Sequence, residues 1–162
     1  MNKTKILRIA LFQPRIPQNT GNIARTSAAF KIRLDLIKPL GFSLDDKYLK
    51  RAGLDYWKYL DINVHDDFEQ FFHSTKNNRL IAFSKKGSKN FNQFTYQYGD
   101  ILLFGREDIG IPNDIIQKCY VSLKIPMPGG VDKNNLNGVR SLNLSVACGI
   151  VGFHVISQLY DF

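Results

Sequence analysis

The stretch ILRIALFQPRIPQNTGNIART, residues 6–26, decides how the rest of the chain is read. Its apolar run, Ile6–Phe12, has the length and composition of a buried strand. Pro14 and Pro17 then break the strand, and a helix is expected over Gly21–Phe30. The same alternation continues to the end. Strands are expected at Leu34–Ile37, Ile62–Val64, Leu80–Ser84, Ile101–Phe104 and Val121–Ile125. Helices are expected at Asp46–Ala52, Asp66–His73, Asn113–Lys118 and Ser141–Leu159. Short apolar strands separated by helices predict an α/β fold, with a mostly parallel sheet covered by helices on both faces.

The start of the first helix breaks a local rule. The positive end of the helix dipole favours Asp or Glu in the first turn, yet no acid is present there. Asn19, Asn22 and Arg25 instead recur every third residue, a spacing that places neighbours on one helix face. A cation beside free helix N–H groups is suited to an anion such as phosphate.

Composition bounds the possibilities. With 162 residues, 44% hydrophobic and 22% charged, the chain is expected to form one domain, residues 1–162, with a core that needs neither metal nor disulfide. Cys119 and Cys148 lie in apolar surroundings without CxxC spacing, as in a reduced, cytoplasmic protein. Residues 1–15 read as a first strand and not as a signal peptide. A net charge of +8 suits either a polyanion partner or a plain basic surface. Lysines cluster in SKKGSKN, residues 84–90, and in DKYLKRAG, residues 46–53, without an aromatic ladder between them.

Several chemistries are excluded by what the loops lack. No GxGxxG follows the first strand, no GxxxxGK[ST] occurs, and no GxSxG elbow is present. His65, His73 and His154 show no metal spacing, and His65-Asp66-Asp67 reads as a helix cap. The last helix has no charged residue from Leu142 to Leu159. Such a helix is buried either in lipid or in protein. The polar Asn143, Ser145, His154, Ser157 and Gln158, and the absence of a basic flank, favour burial against a second subunit.

Two further loops follow strand ends, where ligands of open α/β sheets bind. LLFGREDIGIP, residues 102–112, reads either as a glycine-bounded turn with solvated charges or as a ligand loop. IPMPGGVDKNNLNGVRSLNLSVACG, residues 125–149, runs from a strand through a Pro-Gly loop into a helix. Ser141 and Asn143 there are candidate caps or candidate site residues.

Taken in order, NTGNIART, FGREDIGIP and IPM…RSLNLSVA resemble the three motifs of the SPOUT RNA methyltransferases. With RAGLDYW at residues 51–57 and no added RNA-binding domain, the chain is similar over nearly its whole length to the minimal TrmL/YibK-like branch. That branch comprises tRNA (cytidine/uridine-2′-O)-methyltransferases of the wobble nucleotide. The resemblance implies a C-terminal deep trefoil knot, a homodimer with its active site at the subunit interface, S-adenosylmethionine as cofactor, tRNA as substrate, and neither metal nor membrane. Phe83, Gly105, Ile125 and Ser141 would line the cofactor pocket, with Glu107 and Asn143 organising the site. Arg25 matches the arginine that acts on the ribose hydroxyl, and Asn19 is its neighbour in the same motif. An arginine is too basic to be a general base, so Arg25 is expected to orient the substrate and stabilise charge. The related alternatives are another tRNA or ribosomal RNA site, or a non-catalytic RNA-binding dimer. One departure stands out: twelve residues, Pro128–Val139, separate Met127 from Arg140, where the family carries a shorter link.

Overall fold

The computed structural model describes residues 7–47, 49, 51 and 56–160. Seven strands form one sheet: β1 (Arg8–Phe12), β2 (Arg33–Ile37), β3 (Ile62–His65), β4 (Leu80–Phe83), β5 (Lys89–Asn90), β6 (Ile101–Phe104) and β7 (Val121–Lys124). Their order is β3-β2-β1-β6-β4-β7-β5, and every neighbouring pair is parallel. All of β1, β4 and β6 is buried, as expected of strands covered on both faces.

Alternation along β1 builds two cores. Ile9 and Leu11 point to one face, where they join Ile23 of helix α1 (Pro17–Phe30) and Cys148, Val151 and Val155 of helix α4 (Leu144–Leu159). Ala10 and Phe12 point to the other, where Phe68 and Phe71 of α2 (Phe68–Ser74) and Ile115 of α3 (Asn113–Gln117) cover them. The expected α/β sheet with helices on both faces is therefore present.

Two helix starts differ from expectation for identifiable reasons, and one short strand was not expected. α1 begins at Pro17, not Gly21, because proline's fixed φ and missing N–H suit the first helical position. α4 begins at Leu144, not Ser141, because Asn143 is its cap: Asn143 Oδ1 accepts from the backbone N–H of Ser145 at 2.9 Å. The Asp67 carboxylate caps α2 by accepting from the Gln70 N–H at 2.8 Å, as read from the sequence. β5 has only two residues and no apolar pattern to announce it. Part of the expected helix Asp46–Ala52, the start of the Ile6–Phe12 run and part of RAGLDYW lie outside the described residues. No helix among the described residues is long and apolar enough to cross a membrane.

Candidate active site

The carboxyl ends of β4, β6 and β7 open into a cleft of about 890 Å³, closed on one side by the start of α4. Phe83 and Phe104, side by side on β4 and β6, stack with ring centroids 4.8 Å apart and planes 11° from parallel. Ile111, Ile125, Leu144 and Ala147 extend this apolar lining. The volume and the mix of an apolar wall with a few polar groups fit a small-molecule site.

The acid missing from the first turn of α1 arrives from the loop after β6. Glu107 Oε2 accepts the N–H of Arg15 at 2.8 Å, and Oε1 accepts the N–H of Ile16 at 3.0 Å. Asn19 Nδ2 donates to the same Oε1 at 3.3 Å. A carboxylate at this position satisfies orphan donors and complements the dipole. The side chain reaches across more than ninety residues of sequence to do so, and local reading of α1 could not find it.

Asn19 then passes the linkage on. Its Oδ1 accepts from Asn143 Nδ2 at 3.0 Å, while Asn143 Oδ1 caps α4 and accepts from Ser145 Oγ at 2.7 Å. Glu107, Asn19 and Asn143 thus tie the three loops into one polar seam along the cleft. Asn143 caps α4 and at the same time lines the cleft.

The loop carrying Glu107 is tightly folded. Arg106 and Gly110 form an antiparallel bridge, and Gly110 adopts φ +71°, a region favouring glycine. A Cβ on Gly105 would meet the Gly110 carbonyl carbon at 2.2 Å. Gly105 is required by the protein's own backbone crossing. Arg106 pairs with Asp108 at 2.6 Å, and this hydrogen bond holds the Asp108 carboxyl down at about 2. Burial, with the Glu107 charge adding, pushes the Cys148 thiol well up, so Cys148 is a core residue.

The structure therefore brings Asn19, Phe83, Gly105, Glu107, Ile125, Ser141 and Asn143 to one cleft. Phe83, Gly105, Ile125 and Ser141 could hold a nucleoside-sized cofactor there. Arg25 is not among the residues that line it. With α1 starting at Pro17, Arg25 lies beyond the second turn, which corrects the expectation that it occupies the helix N-terminus. Three-residue steps also fall short of a full turn, so Arg25 is rotated about 120° from Asn19. Asn19 is buried, whereas Asn22 and Arg25 are exposed. The Arg25 guanidinium lies over the Tyr56 ring, 4.7 Å from its centroid. No group of three or more His, Cys, Asp or Glu side chains among the described residues could hold a metal ion.

Sequence reasoning missed one further polar cluster. Arg8 on β1 holds Asp35 on β2 through Nε at 2.8 Å and Nη2 at 2.7 Å. His65 Nε2 on β3 meets the same carboxylate at 2.7 Å. The signal was present as charged residues inside apolar strands, but the pairing requires the strand order.

Comparison with known proteins agrees with this architecture. A tRNA (cytidine(34)-2'-O)-methyltransferase of Yersinia pestis is 43% identical over 159 residues, covering 95% of this chain and 94% of that one. The enzyme of the same name from Escherichia coli (strain K12) is 40% identical over 154 residues, with 95% and 94% covered. A solved structure described as giving insights into the 2-OH methylation of C/U34 on tRNA superposes with a TM-score of 0.87. It is 44% identical and covers 96% of this chain and 97% of that chain. An AdoMet-bound rRNA methyltransferase from Sinorhizobium meliloti shares the fold, with a TM-score of 0.85 at 24% identity over 98% of this chain and 59% of that one. The model of the SpoU rRNA Methylase family matches residues 6–153, and the chain belongs to that family.

Proposed function

We propose that this protein transfers a methyl group from S-adenosylmethionine to the ribose 2′-oxygen of the wobble nucleotide, position 34, of tRNA. The observation that carries the reading is the single cleft at which the three motif loops are joined by Glu107, Asn19 and Asn143. Relatives of that activity at 40–43% identity support the choice of substrate.

The residues present fit the cofactor: a stacked aromatic and aliphatic wall suits adenine and a thioether chain, and the polar seam lies to one side. When bound, S-adenosylmethionine supplies an electrophilic methyl group. Phe83, Gly105, Ile125 and Ser141 hold the cofactor, and Glu107 keeps the loops in place. Positioning contributes much of the rate in such a transfer. Arg25 binds phosphate and the ribose oxygen through its planar fork, and Asn19 and Asn143 fix the cleft wall beside it.

Arg25 does not line the cleft of its own protomer, and the proposed site is completed by a second copy. Val146, Ile150 and Phe153 form an outward stripe on α4, 50%, 40% and 55% exposed. Phe153 also meets Phe30 at the end of α1, with centroids 6.2 Å apart. A homodimer burying this stripe brings α1, and with it Arg25, to the subunit interface. The same reading gives one methyltransferase domain, a C-terminal trefoil knot, a cytoplasmic location and no metal requirement.

The test is to map 2′-O-methyl groups in tRNA from cells with and without the gene. Loss confined to position 34 is expected; loss at another RNA site, or nowhere, overturns the reading. In vitro, Arg25→Ala should lower turnover by about two orders of magnitude, the scale for a preorganised charged donor, with little change in cofactor affinity. Near-normal transfer by this variant would remove Arg25 from the site. Light scattering at micromolar concentration should show a dimer, and a species of only 18.5 kDa would refute the shared site.

A further inference from the structure

We propose that the Pro128–Val139 loop and the Lys85–Lys86 turn form a clamp for the RNA backbone on one side of the target nucleotide. The inference rests on the proposed function and names how this chain's own insertion engages the substrate.

The insertion folds on itself. Gly130 bridges to Val139, with the Val131 N–H donating to the Val139 carbonyl at 3.1 Å and the Val139 N–H to the Gly129 carbonyl at 2.9 Å. Inside this closure, Asp132 Oδ1 accepts the N–H groups of Asn134 and Asn135 at 2.7 and 2.8 Å. Gly138 runs so close to Gly130 that a Cβ would lie 2.5 Å from the Gly130 carbonyl carbon. A closed loop of this kind presents its outer side chains at low entropic cost on binding. Those side chains are Lys133, Leu136 (79% exposed) and, immediately after the closure, Arg140.

Charge identifies the occupant. Lys85, Lys86 and Arg140 line the cleft mouth, and all three are exposed, as is Lys133. None of the four has an ion-pair partner among the described residues. The carboxylates lining the same cleft are already engaged: Glu107 by the backbone of Arg15 and Ile16, and Asp108 by Arg106. Even with the charges of Glu107 and of the loop's own Asp132 set against these four cations, the mouth keeps a net positive charge. S-adenosylmethionine has one carboxylate beside its sulfonium and ammonium, so it does not call for four free cations. A nucleic-acid backbone does. The loop cations and the turn cations approach the cleft from two different chain segments, so a strand entering it would be held from both.

The experiment measures binding of an unmodified tRNA carrying the wild-type target across a salt series, alongside melting temperature. Two double variants are compared with the wild-type protein: Lys85→Ala/Lys86→Ala and Lys133→Ala/Arg140→Ala. Each should weaken binding several-fold at low salt and reduce the slope of log affinity against log salt by about 0.7 per cation removed. Melting temperatures should stay unchanged. Lys76→Ala, a lysine before β4 at the opposite end of the sheet, should leave the slope as it is. Unchanged slopes in both double variants, or an equal loss in Lys76→Ala, would overturn the clamp. If the wild-type protein methylates position 34 while the slopes do not move, the clamp fails and the function stands. If the slopes fall but no tRNA is methylated, the clamp stands and the proposed reaction fails.

Discussion

Two polar networks in this molecule each tie three chain segments together and differ in kind. Arg8, Asp35 and His65 join three adjacent strands, and Asp35 is completely buried between its partners. Glu107, Asn19 and Asn143 join the loop after β6, the first turn of α1 and the cap of α4, with Asn143 exposed at the cleft. The first meets a buried carboxylate with charged and ring N–H donors and leaves it no opening to solvent. The second is built largely from amides and backbone groups, and its edge faces a space large enough for a ligand. Full internal pairing marks a structural network; pairing that stops at a cleft marks a site.

The sharpest way to break this contrast is Asp35→Ala. Removing one partner of a buried ion pair strands the others, at a cost of about 3–5 kcal/mol. Thermal unfolding should shift down by about 10 °C. The pH dependence has a definite sign. Burial alone would raise the Asp35 carboxyl, but hydrogen bonds from His65 and Arg8 outweigh it and hold it below the ordinary aspartate range. Its contribution is therefore complete above about pH 4 and is lost as pH falls through the lower folded-state value. Asp35→Ala should flatten that acid limb of a stability-against-pH curve. An unchanged limb would show that another carboxylate controls it.

Glu107→Ala is expected to come second. It removes a charged acceptor from two backbone N–H groups and from Asn19, worth about 2 kcal/mol. Unlike Asp35→Ala, it should also weaken cofactor binding, measured by calorimetry, because it loosens the wall of the cleft. Equal binding with lowered stability would make Glu107 a structural cap only.

The smallest effect on stability belongs to Asn143. Asn143→Ala should cost about 1 kcal/mol through loss of the α4 cap. Asn143→Asp keeps an Oδ1 cap and adds a charge to a first turn that has no acid, but it deletes the Nδ2 donor to Asn19. Melting temperature should be retained while methyl transfer falls. If transfer is also retained, the Asn19 link is dispensable and the two networks are less different than proposed.

What was legible in the sequence follows the range of the interactions. Runs such as IALF and ILLF announce strands locally, and parallel burial of both faces follows from their continuity. The three site loops were legible because each breaks a local rule or crowds glycines at a strand end. The Glu107 cap on α1 was not, since donor and acceptor lie in different loops and only the folded sheet brings them together. Helix starts failed at both ends for opposite reasons. Pro17 carried a start signal that was read as a breaker, and Ser141 carried a cap signal that Asn143 fulfils. The expected start at Gly21 put Arg25 at the helix N-terminus, and the earlier start at Pro17 moved it beyond. The Arg8–Asp35–His65 cluster needed the register of β1 on β2 and of β2 on β3.

The strand order has a consequence for how the chain is made. β1 occupies an inner position, and one of its two neighbours is β6, with Arg8 in register with Ile101. Ninety-three residues separate these partners in sequence. At a synthesis rate of about 5–20 residues per second, β6 leaves the ribosome roughly 5–20 seconds after β1. During that interval β1 and β2 can pair, but the apolar edge of β1 that will meet β6 stays open. Nascent chains truncated before Ile101 should therefore be bound by chaperones and cut by proteases, while chains extended through β7 should escape both.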